Sequence, residues 1–432
     1  MATNSIPTLS PDLATAVIDP NSYAEWDGLL DKFDWLRENM PVGKVVAADD
    51  SFDPFWLITR YEDVMRISKD NQTFLNNPRP TVLSTKDAIA FSEKVTGSKM
   101  LVDSLVVFDA PIHMKYRRLT QDWFMPKNLK LLEAEIEALA KVTVDRLVNA
   151  GGEVDFVPLV SAPYPLHVVM QILGVPEADE QRMLFLTQQM FGGQDEDLSG
   201  TGLKDMTPEQ MMQVVAGAVA DFEAYFAKLA EEKRANPTDD VATIIANAEV
   251  DGKPLNDRDM AGYYIIVASA GHDTTSASTA GAMMALAQDP EQFARVKADR
   301  SLLSGIVEEA IRWTTPVQHF MRTAAEDTEI GGQKIAKDDW LMINYVAANH
   351  DPAQFDNPRK FDAARSPNRH LAFGAGAHQC LGLHLARLEM RILFNELLDR
   401  IETLELAGEP KRAKSTFVGG LKTLPFRYSL SK

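Results

Sequence analysis

The segment from Leu255 to Asp289 constrains the fold most strongly, because it contains no proline. One helix of roughly 35 residues would be about three times as long as the average globular helix. At about 1.5 Å per residue it would extend roughly 52 Å, enough to cross the whole molecule. His272 and Asp273 lie at its middle, which argues against a membrane span. The sequence therefore predicts one long helix inside a mainly α protein.

Composition excludes several classes of function. The chain has 432 residues and a formal net charge of −18, which disfavours binding to nucleic acid or to an anionic membrane surface. The one cysteine, Cys380, excludes an intramolecular disulfide framework and a zinc site with several cysteines. Neither a signal peptide nor an apolar stretch of about 18 residues is visible, so we expect a soluble cytoplasmic protein without membrane association.

No repeat, low-complexity tract or linker divides the chain, and we expect a single domain over residues 1–432, mainly α with small β-sheets. Hydrophobic periodicity and terminating residues give the bounds of the most distinct elements. Helices are predicted over Leu129–Asn149, Asp179–Phe191 and Leu381–Leu404, and strands over Lys44–Ala48, Phe55–Thr59 and Trp340–Ile343.

Cys380 lies in a glycine-rich stretch, F-G-A-G-A-H-Q-C-L-G, that runs from Phe373 to Gly382. At the beginning of the helix predicted from Leu381, the helix dipole and free amides favour a thiolate. Such a cysteine suits an axial iron ligand, a nucleophile or a redox sensor, although a lone cysteine is more often a small core residue. Gln379 replaces the third glycine of a dinucleotide-binding loop, which excludes that alternative.

This stretch resembles the haem-binding loop of the cytochromes P450, F-G-x-G-x-H-x-C-x-G, at every fixed position. The resemblance implies a cytochrome P450 fold and haem b as cofactor. It also implies that Cys380 is the axial ligand of the iron, and that electron donation from its thiolate favours O–O cleavage. By the same likeness, His378 hydrogen-bonds a haem propionate and Phe373 packs beside the sulfur.

The middle of the long segment reads Ala270-Gly271-His272-Asp273-Thr274-Thr275. By itself, a threonine bonded to the carbonyl one turn earlier merely bends a helix. The stretch also resembles the P450 oxygen-activation motif, A-G-x-D-T. That likeness implies that Gly271 opens the helix, while the Thr274 hydroxyl and the Asp273 carboxylate relay protons. Thr275 would support the hydroxyl role, and His272, at the variable position, would have a supporting or surface role.

Glu309 and Arg312 resemble the E-x-x-R element of the family. A Glu–Arg pair three residues apart on a helix is usually a solvated surface contact. Arg365, in an F-x-x-R stretch, adds a second guanidinium, and the resemblance implies a buried structural cluster that holds the scaffold of the haem loop.

Three further residues match propionate-binding positions of the family. His113 and Arg117 follow Asp109-Ala110-Pro111, a stretch that resembles the haem-facing helix, and Arg322 matches the other propionate-binding arginine. Any one arginine is a surface residue by default.

The resemblance implies monooxygenation with O2. The chain has no dinucleotide-binding fingerprint, so electrons are expected from separate proteins. The resemblance to bacterial P450s implies that these are an iron–sulfur ferredoxin and its NAD(P)H-dependent reductase. Basic residues in segments expected on the Cys380 side would steer an acidic ferredoxin, unless they are scattered solvated charges. These residues are Lys115, Arg117, Arg118, Lys127, Arg369, Arg387 and Arg391.

The expected substrate is small and hydrophobic, because the candidate pocket is largely apolar. Three stretches resemble the α-terpineol hydroxylase group, which implies a monoterpenoid or an alkyl-aromatic hydrocarbon: Tyr164–Met170, Ala270–Ser276 and Phe417–Gly420. Gln318 or His319 is expected to hydrogen-bond a substrate hydroxyl. A peroxide-driven peroxygenase and a haem gas sensor are the alternatives. The candidate pocket residues are Ile266, Ala270, Val317, Gln318, Phe320, Phe417 and Val418.

Overall fold

The computed structural model describes residues 6–199 and 206–431. Helices dominate this part of the chain and, together with four short 3₁₀ and π segments, account for 53% of the residues, which confirms the mainly α prediction. The helices are α1 Pro11–Ile18, α2 Pro20–Ala24, α3 Trp26–Asn39, α4 Tyr61–Lys69, α5 Lys86–Thr96, α6 Ile112–Thr120, α7 Pro126–Leu129, α8 Glu133–Val148, α9 Pro163–Ile172, α10 Glu180–Phe191, α11 Glu196–Ser199, α12 Pro208–Ala235, α13 Val241–Ala246, α14 Asp257–Ala270, α15 Asp273–Gln288, α16 Pro290–Ala298, α17 Leu303–Thr314, α18 Tyr345–Asn349 and α19 Leu383–Arg400.

The strands form small sheets. They are β1 Val42–Val45, β2 Phe55–Ile58, β3 Phe74–Leu75, β4 Glu153–Asp155, β5 Glu249–Val250, β6 Lys253–Pro254, β7 His319–Ala324, β8 Thr328–Ile330, β9 Gln333–Ile335, β10 Trp340–Asn344, β11 Ile401–Leu406, β12 Lys411–Arg412, β13 Leu421–Thr423 and β14 Pro425–Leu430. The largest sheet has the order β1-β2-β10-β7-β3, with β2 and β10 parallel and the other neighbours antiparallel. The three strands predicted from the sequence correspond to β1, β2 and β10 of this sheet, and their bounds are confirmed within a few residues.

The predicted long helix is wrong as a single element, because the segment divides into α14 and α15. Gly271 and His272 separate the two helices, so the helix is interrupted where the resemblance implied an opening. Asn256 caps the start of α14 by accepting a hydrogen bond from the Asp259 amide, at 2.8 Å.

The helix after the cysteine also differs from its predicted bounds. It begins at Leu383 rather than Leu381 and ends at Arg400, where β11 continues the chain. The positive end of the α19 dipole therefore lies at Leu383, after Gly382, rather than directly after Cys380.

The hydrophobic core places these elements around one another. Its largest cluster joins α8, α9, α12, α14, α15, α17 and α19, while two smaller clusters cover the largest sheet. Within residues 6–199 and 206–431, the structure contains no helix with the length and apolarity needed to cross a membrane.

Candidate active site

The cysteine loop is held in a compact form by its own backbone. The Cys380 amide donates to the Phe373 carbonyl at 2.8 Å, and the Gly374 amide donates to the Leu371 carbonyl at 2.8 Å. Gly376 has a φ of +74°, and a Cβ there would lie 2.6 Å from the Ser68 carbonyl oxygen. A side chain at this position would therefore separate the loop from the end of α4.

Two histidines and two arginines meet beside this loop. The rings of His113 and His378 lie 4.0 Å apart between centroids. Burial and then Arg117 lower the pKa of His113 to about 4. Burial, then His113, Arg322 and Arg117, lower the pKa of His378 to about 2. The four predicted propionate-binding residues are thus close enough to influence one another.

The unpaired polar atoms of this cluster indicate an anionic ligand. Both ring nitrogens of His113 and Nε2 of His378 are buried without a hydrogen-bond partner. Among the described residues, no carboxylate forms an ion pair with Arg117 or with the buried Arg322. Buried donors and cations of this kind are costly unless they are paired. Two propionates beside a cysteine would supply the missing partners, so these residues fit a haem group.

On its other side, the loop contacts a charged network. The Arg387 guanidinium lies 4.7 Å from the centre of the Phe373 ring, and Glu308 accepts hydrogen bonds from Arg387 and His370. Burial by itself would raise the pKa of Glu308, but these two partners outweigh it and lower the pKa to about 2. Sequence reasoning missed Glu308 and His370, which carry no signal apart from being polar residues near the motifs.

Electrostatics at Cys380 differ from the sequence-based expectation. Burial raises the pKa of the Cys380 thiol, against the lowering effects of the Gly382 amide, Arg117 and Arg387. The sequence-based expectation is that the helix terminus favours the thiolate form of Cys380. The protein's own groups favour the protonated thiol instead. A bound metal ion is the group that would deprotonate this thiol.

Glu309, Arg312 and Arg365 come together in a buried cluster. Arg312 donates to Glu309 from Nε at 2.8 Å and from Nη2 at 2.7 Å, and neither side chain is exposed. Arg365 Nε and Asn368 Nδ2 each donate to Glu309 Oε2 at 3.0 Å. Asn349, which also binds the Arg312 side chain through its carbonyl, accepts from the Leu371 amide at 2.7 Å. The cluster thus connects α17 directly to the residues that lead into the cysteine loop.

The predicted proton-relay residues lie at the interruption between α14 and α15. Gly271 packs against α9, since a Cβ there would lie 2.4 Å from Val169 Cγ2. Thr274 Oγ1 donates to the Ala270 carbonyl at 3.2 Å, which leaves its oxygen free to accept. His272 is buried, which excludes the surface alternative and leaves the supporting role.

The Thr275 hydroxyl, unlike that of Thr274, is directed into the protein interior. It is buried and donates to Glu389 Oε1 at 3.1 Å. Burial raises the pKa of Glu389 well above its ordinary value, and its second carboxyl oxygen has no partner. Sequence reasoning missed Glu389, because a glutamate within an amphipathic helix normally faces solvent.

The pocket segments before β7 and near the C-terminus are paired. Val317 and Val418 form an isolated antiparallel bridge, and the Gln318 amide donates to the Phe417 carbonyl at 2.9 Å. The Phe417 ring lies 5.5 Å from Phe320 and 6.3 Å from Phe191 of α10. Ala270 is exposed and Ile266 is partly accessible on α14.

The expected substrate contacts of Gln318 and His319 are not supported. His319 Nδ1 bonds to the Thr416 carbonyl at 2.8 Å, and Nε2 accepts from the Leu83 amide at 3.1 Å. Burial lowers the pKa of His319 to about 4, so the ring is neutral. The Gln318 side-chain nitrogen donates to the Ser415 carbonyl at 2.7 Å. Both side chains therefore hold the C-terminal loop.

Sequence reasoning missed the polar contacts between the residues after α10 and the C-terminal loop. Gln194, after α10, accepts from the Thr416 amide at 2.8 Å, and the buried Asp195 pairs with Lys422 at 2.9 Å. The pairing joins positions far apart in sequence, so no local pattern could have revealed it.

The predicted basic residues are only partly available to a partner. Lys115 pairs with Asp251, Arg387 with Glu308, and Arg391 with Glu133. Arg118 and Lys127 are exposed, and neither forms an ion pair with another described residue. Arg387 and Arg391 line a surface groove of about 400 Å³ between α7, α8, α17 and the first half of α19.

Comparison with known proteins agrees with this geometry. The cytochrome P450 family profile matches residues 22–430. The chain is 41% identical over 423 residues to cytochrome P450-terp of a Pseudomonas species, covering 98% of each chain. It is 32% identical to linalool 8-monooxygenase of Pseudomonas putida, covering 96% of this chain and 97% of the other.

A solved structure agrees as well. The crystal structure of a cytochrome P450 from Novosphingobium aromaticivorans superposes with a TM-score of 0.92 at 65% identity, covering 99% of this chain and 100% of that chain. Family membership implies a haem–iron cofactor and the use of O2 with redox partners. The cysteine loop, its unpaired donors and these likenesses together establish that the chain belongs to the cytochrome P450 family and is a monooxygenase of bacterial type.

Proposed function

We propose that this monooxygenase hydroxylates a small hydrophobic substrate, a monoterpenoid or an alkyl-aromatic hydrocarbon. Electrons come from a separate iron–sulfur ferredoxin and its NAD(P)H-dependent reductase. The cofactor is haem b, because the chain's one cysteine is assigned to the iron and none remains to form a thioether bond to the porphyrin.

One observation supports the substrate class most directly. Val317, Phe320, Phe417 and Val418 are all partly accessible, whereas the polar groups beside them are buried and bonded to the C-terminal loop. The accessible part of these segments is therefore apolar and partly aromatic. Such a wall selects by shape and hydrophobic burial, at about 0.8 kcal/mol per buried CH₂.

The likenesses point the same way. Cytochrome P450-terp and linalool 8-monooxygenase are similar to this chain over nearly its whole length, and the second is named for a monoterpenoid alcohol. Both ring nitrogens of His319 are bonded to the protein, and the Gln318 and His319 side chains are buried, so neither offers a substrate hydroxyl an accessible partner. The parent hydrocarbon should therefore bind at least as well as the alcohol.

The residues have distinct roles. Cys380 would hold the haem iron, and His113, Arg117, Arg322 and His378 would bind the propionates. The bound haem supplies the chemistry that inserts one oxygen atom into a C–H bond.

Around the helix interruption, this chain's own groups move protons. The side chain of Asp273 is 38% exposed, which allows proton exchange with solvent. The Thr274 oxygen can accept a hydrogen bond from a donor in the site, because its own proton is directed to the Ala270 carbonyl.

Titration of the ferric holoenzyme tests the substrate class. A ten-carbon terpene hydrocarbon, its alcohol, an alkylbenzene and a long-chain fatty acid should each be followed by the spin-state change of the haem. We expect tight binding of the terpenes and the alkylbenzene, with no advantage for the alcohol. A spin-state change with the fatty acid alone would overturn the substrate class.

A pair of isosteric variants tests the proton relay. Thr274→Val should bind substrate normally but divert electrons from NAD(P)H to peroxide. Thr275→Val is the matched control, since its hydroxyl is bonded to Glu389. Equal product yield per NAD(P)H in Thr274→Val and wild type would refute the role of Thr274.

A further inference from the structure

His272 lies in an unusual environment for a histidine in the middle of a helical segment. Its side chain is 1% exposed, and its Nδ1 lies 3.0 Å from Oδ1 of Asp273. Asp273 belongs to the proposed proton relay, and beyond this contact its carboxyl has no ion pair or hydrogen bond with a described residue. His272 is thus the protein group that contacts this carboxyl.

The helix interruption makes this contact possible. Consecutive side chains on a continuous helix diverge by about 100° and do not face each other. His272 has a φ of −104° and a ψ of −49°, and it precedes the first residue of α15. The chain leaves the helix at Gly271, which α9 approaches closely enough to exclude a Cβ. The same interruption that opens the helix therefore turns the imidazole toward the next residue.

The other ring nitrogen argues against a purely structural reason for histidine here. Nε2 is buried and has no partner among the described residues. An unpaired buried polar group destabilises the folded state, and an apolar ring of similar size would avoid that cost. What histidine provides and an apolar ring cannot provide is the Nδ1 contact with Asp273.

We propose that His272 is a positioning residue for Asp273, and the inference rests on the proposed proton-relay role of that carboxyl. Nδ1–H donates to Oδ1 and restricts the carboxyl to one orientation. Oδ2 is left free to take a proton from solvent and to release it toward the site. The ring itself keeps its proton on Nδ1 throughout and carries none across the site.

Three substitutions separate this role from the alternatives. In His272→Asn, the side-chain nitrogen takes the place of Nδ1 and can still donate to Oδ1. In His272→Gln, the amide takes the place of Nε2 instead, and in His272→Phe both nitrogens are lost. All three are compared with wild type as substrate-bound holoenzyme, by product formed per NAD(P)H and by thermal unfolding.

The expected order is clear. His272→Asn should keep near wild-type coupling, while His272→Gln and His272→Phe should lose about tenfold in the ratio of product to peroxide, as for a lost hydrogen bond to a charged group. His272→Phe should unfold at the same temperature as wild type or above it. Equal coupling in all three variants, or an equal loss in all three, would overturn the proposal.

A spectroscopic measurement gives a readout independent of turnover. The ring nitrogens are observed by NMR of ¹⁵N-histidine-labelled holoenzyme in the diamagnetic ferrous carbonyl form, with the His272 signal assigned by its loss in His272→Phe. A neutral ring protonated on Nδ1 supports the proposal, and one protonated on Nε2 contradicts it.

Asp273→Asn distinguishes the two possible failures. If its coupling equals that of wild type, the proton-relay role of Asp273 itself fails. If Asp273→Asn is uncoupled while His272→Phe is not, only the positioning role fails.

Discussion

Two buried histidines, His113 and His319, differ in what surrounds their ring nitrogens. Burial, joined at His113 by Arg117, lowers the pKa of both to about 4, so both are neutral at physiological pH. His319 has protein partners on both nitrogens, whereas His113 has none on either. The protein itself therefore supplies every partner of the His319 ring, whereas the His113 ring needs a ligand to supply its partners.

Glu389 gives a prediction at the same scale. Its pKa is raised from 4.5 by burial, so above that pH the unfolded chain ionises while the folded chain keeps the proton. The folded state then binds more protons, and its stability falls as the pH rises, by up to ~1.4 kcal/mol per pH unit. Glu389→Gln should remove this loss, so its stability relative to wild type should increase as the pH rises above the ordinary pKa of a glutamate.

Unfolding free energies of the two proteins at several pH values measure the effect. Glu396→Gln, on the more accessible side of the same helix, is the control and should not show the gain. Parallel pH dependence of wild type and Glu389→Gln would mean that the buried carboxyl is ionised in the folded protein.

Among the elements, α14 and α15 depend on a close contact with α9. Gly271→Ala would place a Cβ 2.4 Å from Val169 Cγ2, and a β-branched side chain has little freedom to move away. We expect a loss of about 1–3 kcal/mol in stability, as for an overpacked core. Val169→Ala should restore much of it, so the double variant should be more stable than the sum of the single effects predicts.

Thermal and chemical unfolding of the two single variants and the double variant measure this coupling. Additive effects would show that the helix interruption does not depend on the contact between Gly271 and Val169.

Element type could be predicted from sequence, but boundaries and partners could not. Helical periodicity predicts α10 and most of α19 correctly, because both follow local patterns. The same reasoning gives one helix across Gly271, since the reason for the interruption lies in another element, α9. Sequence reasoning places Gln318 and His319 in the pocket, since their partners, Ser415 and Thr416, are distant in sequence and leave no local signal.

For the whole molecule, charge on the Cys380 side bears on electron delivery. The net charge is −18, yet Arg118 and Lys127 are exposed and unpaired among the described residues. Arg118→Glu with Lys127→Glu should slow reduction by an acidic ferredoxin by about tenfold at low salt and weaken its salt dependence. Turnover driven by peroxide should be unchanged, because it needs no partner.

Stopped-flow reduction of the haem measures this effect. Lys228→Glu is the matched control, since it reverses an exposed lysine on α12, a helix that packs on α10, α13 and α14. If turnover by ferredoxin and by peroxide falls together, the two residues maintain the fold or the haem, and docking is not their role.

The central claim is that Cys380 ligates the haem iron, with the unpaired ring nitrogens of His113 and His378 and the buried guanidinium of Arg322 beside it. The absorption spectrum of the reduced carbon monoxide complex tests this claim most directly. We predict a band at about 450 nm for the wild-type holoenzyme and its loss in Cys380→Ser. A wild-type band at about 420 nm in undamaged protein, or an unchanged band in Cys380→Ser, would contradict it.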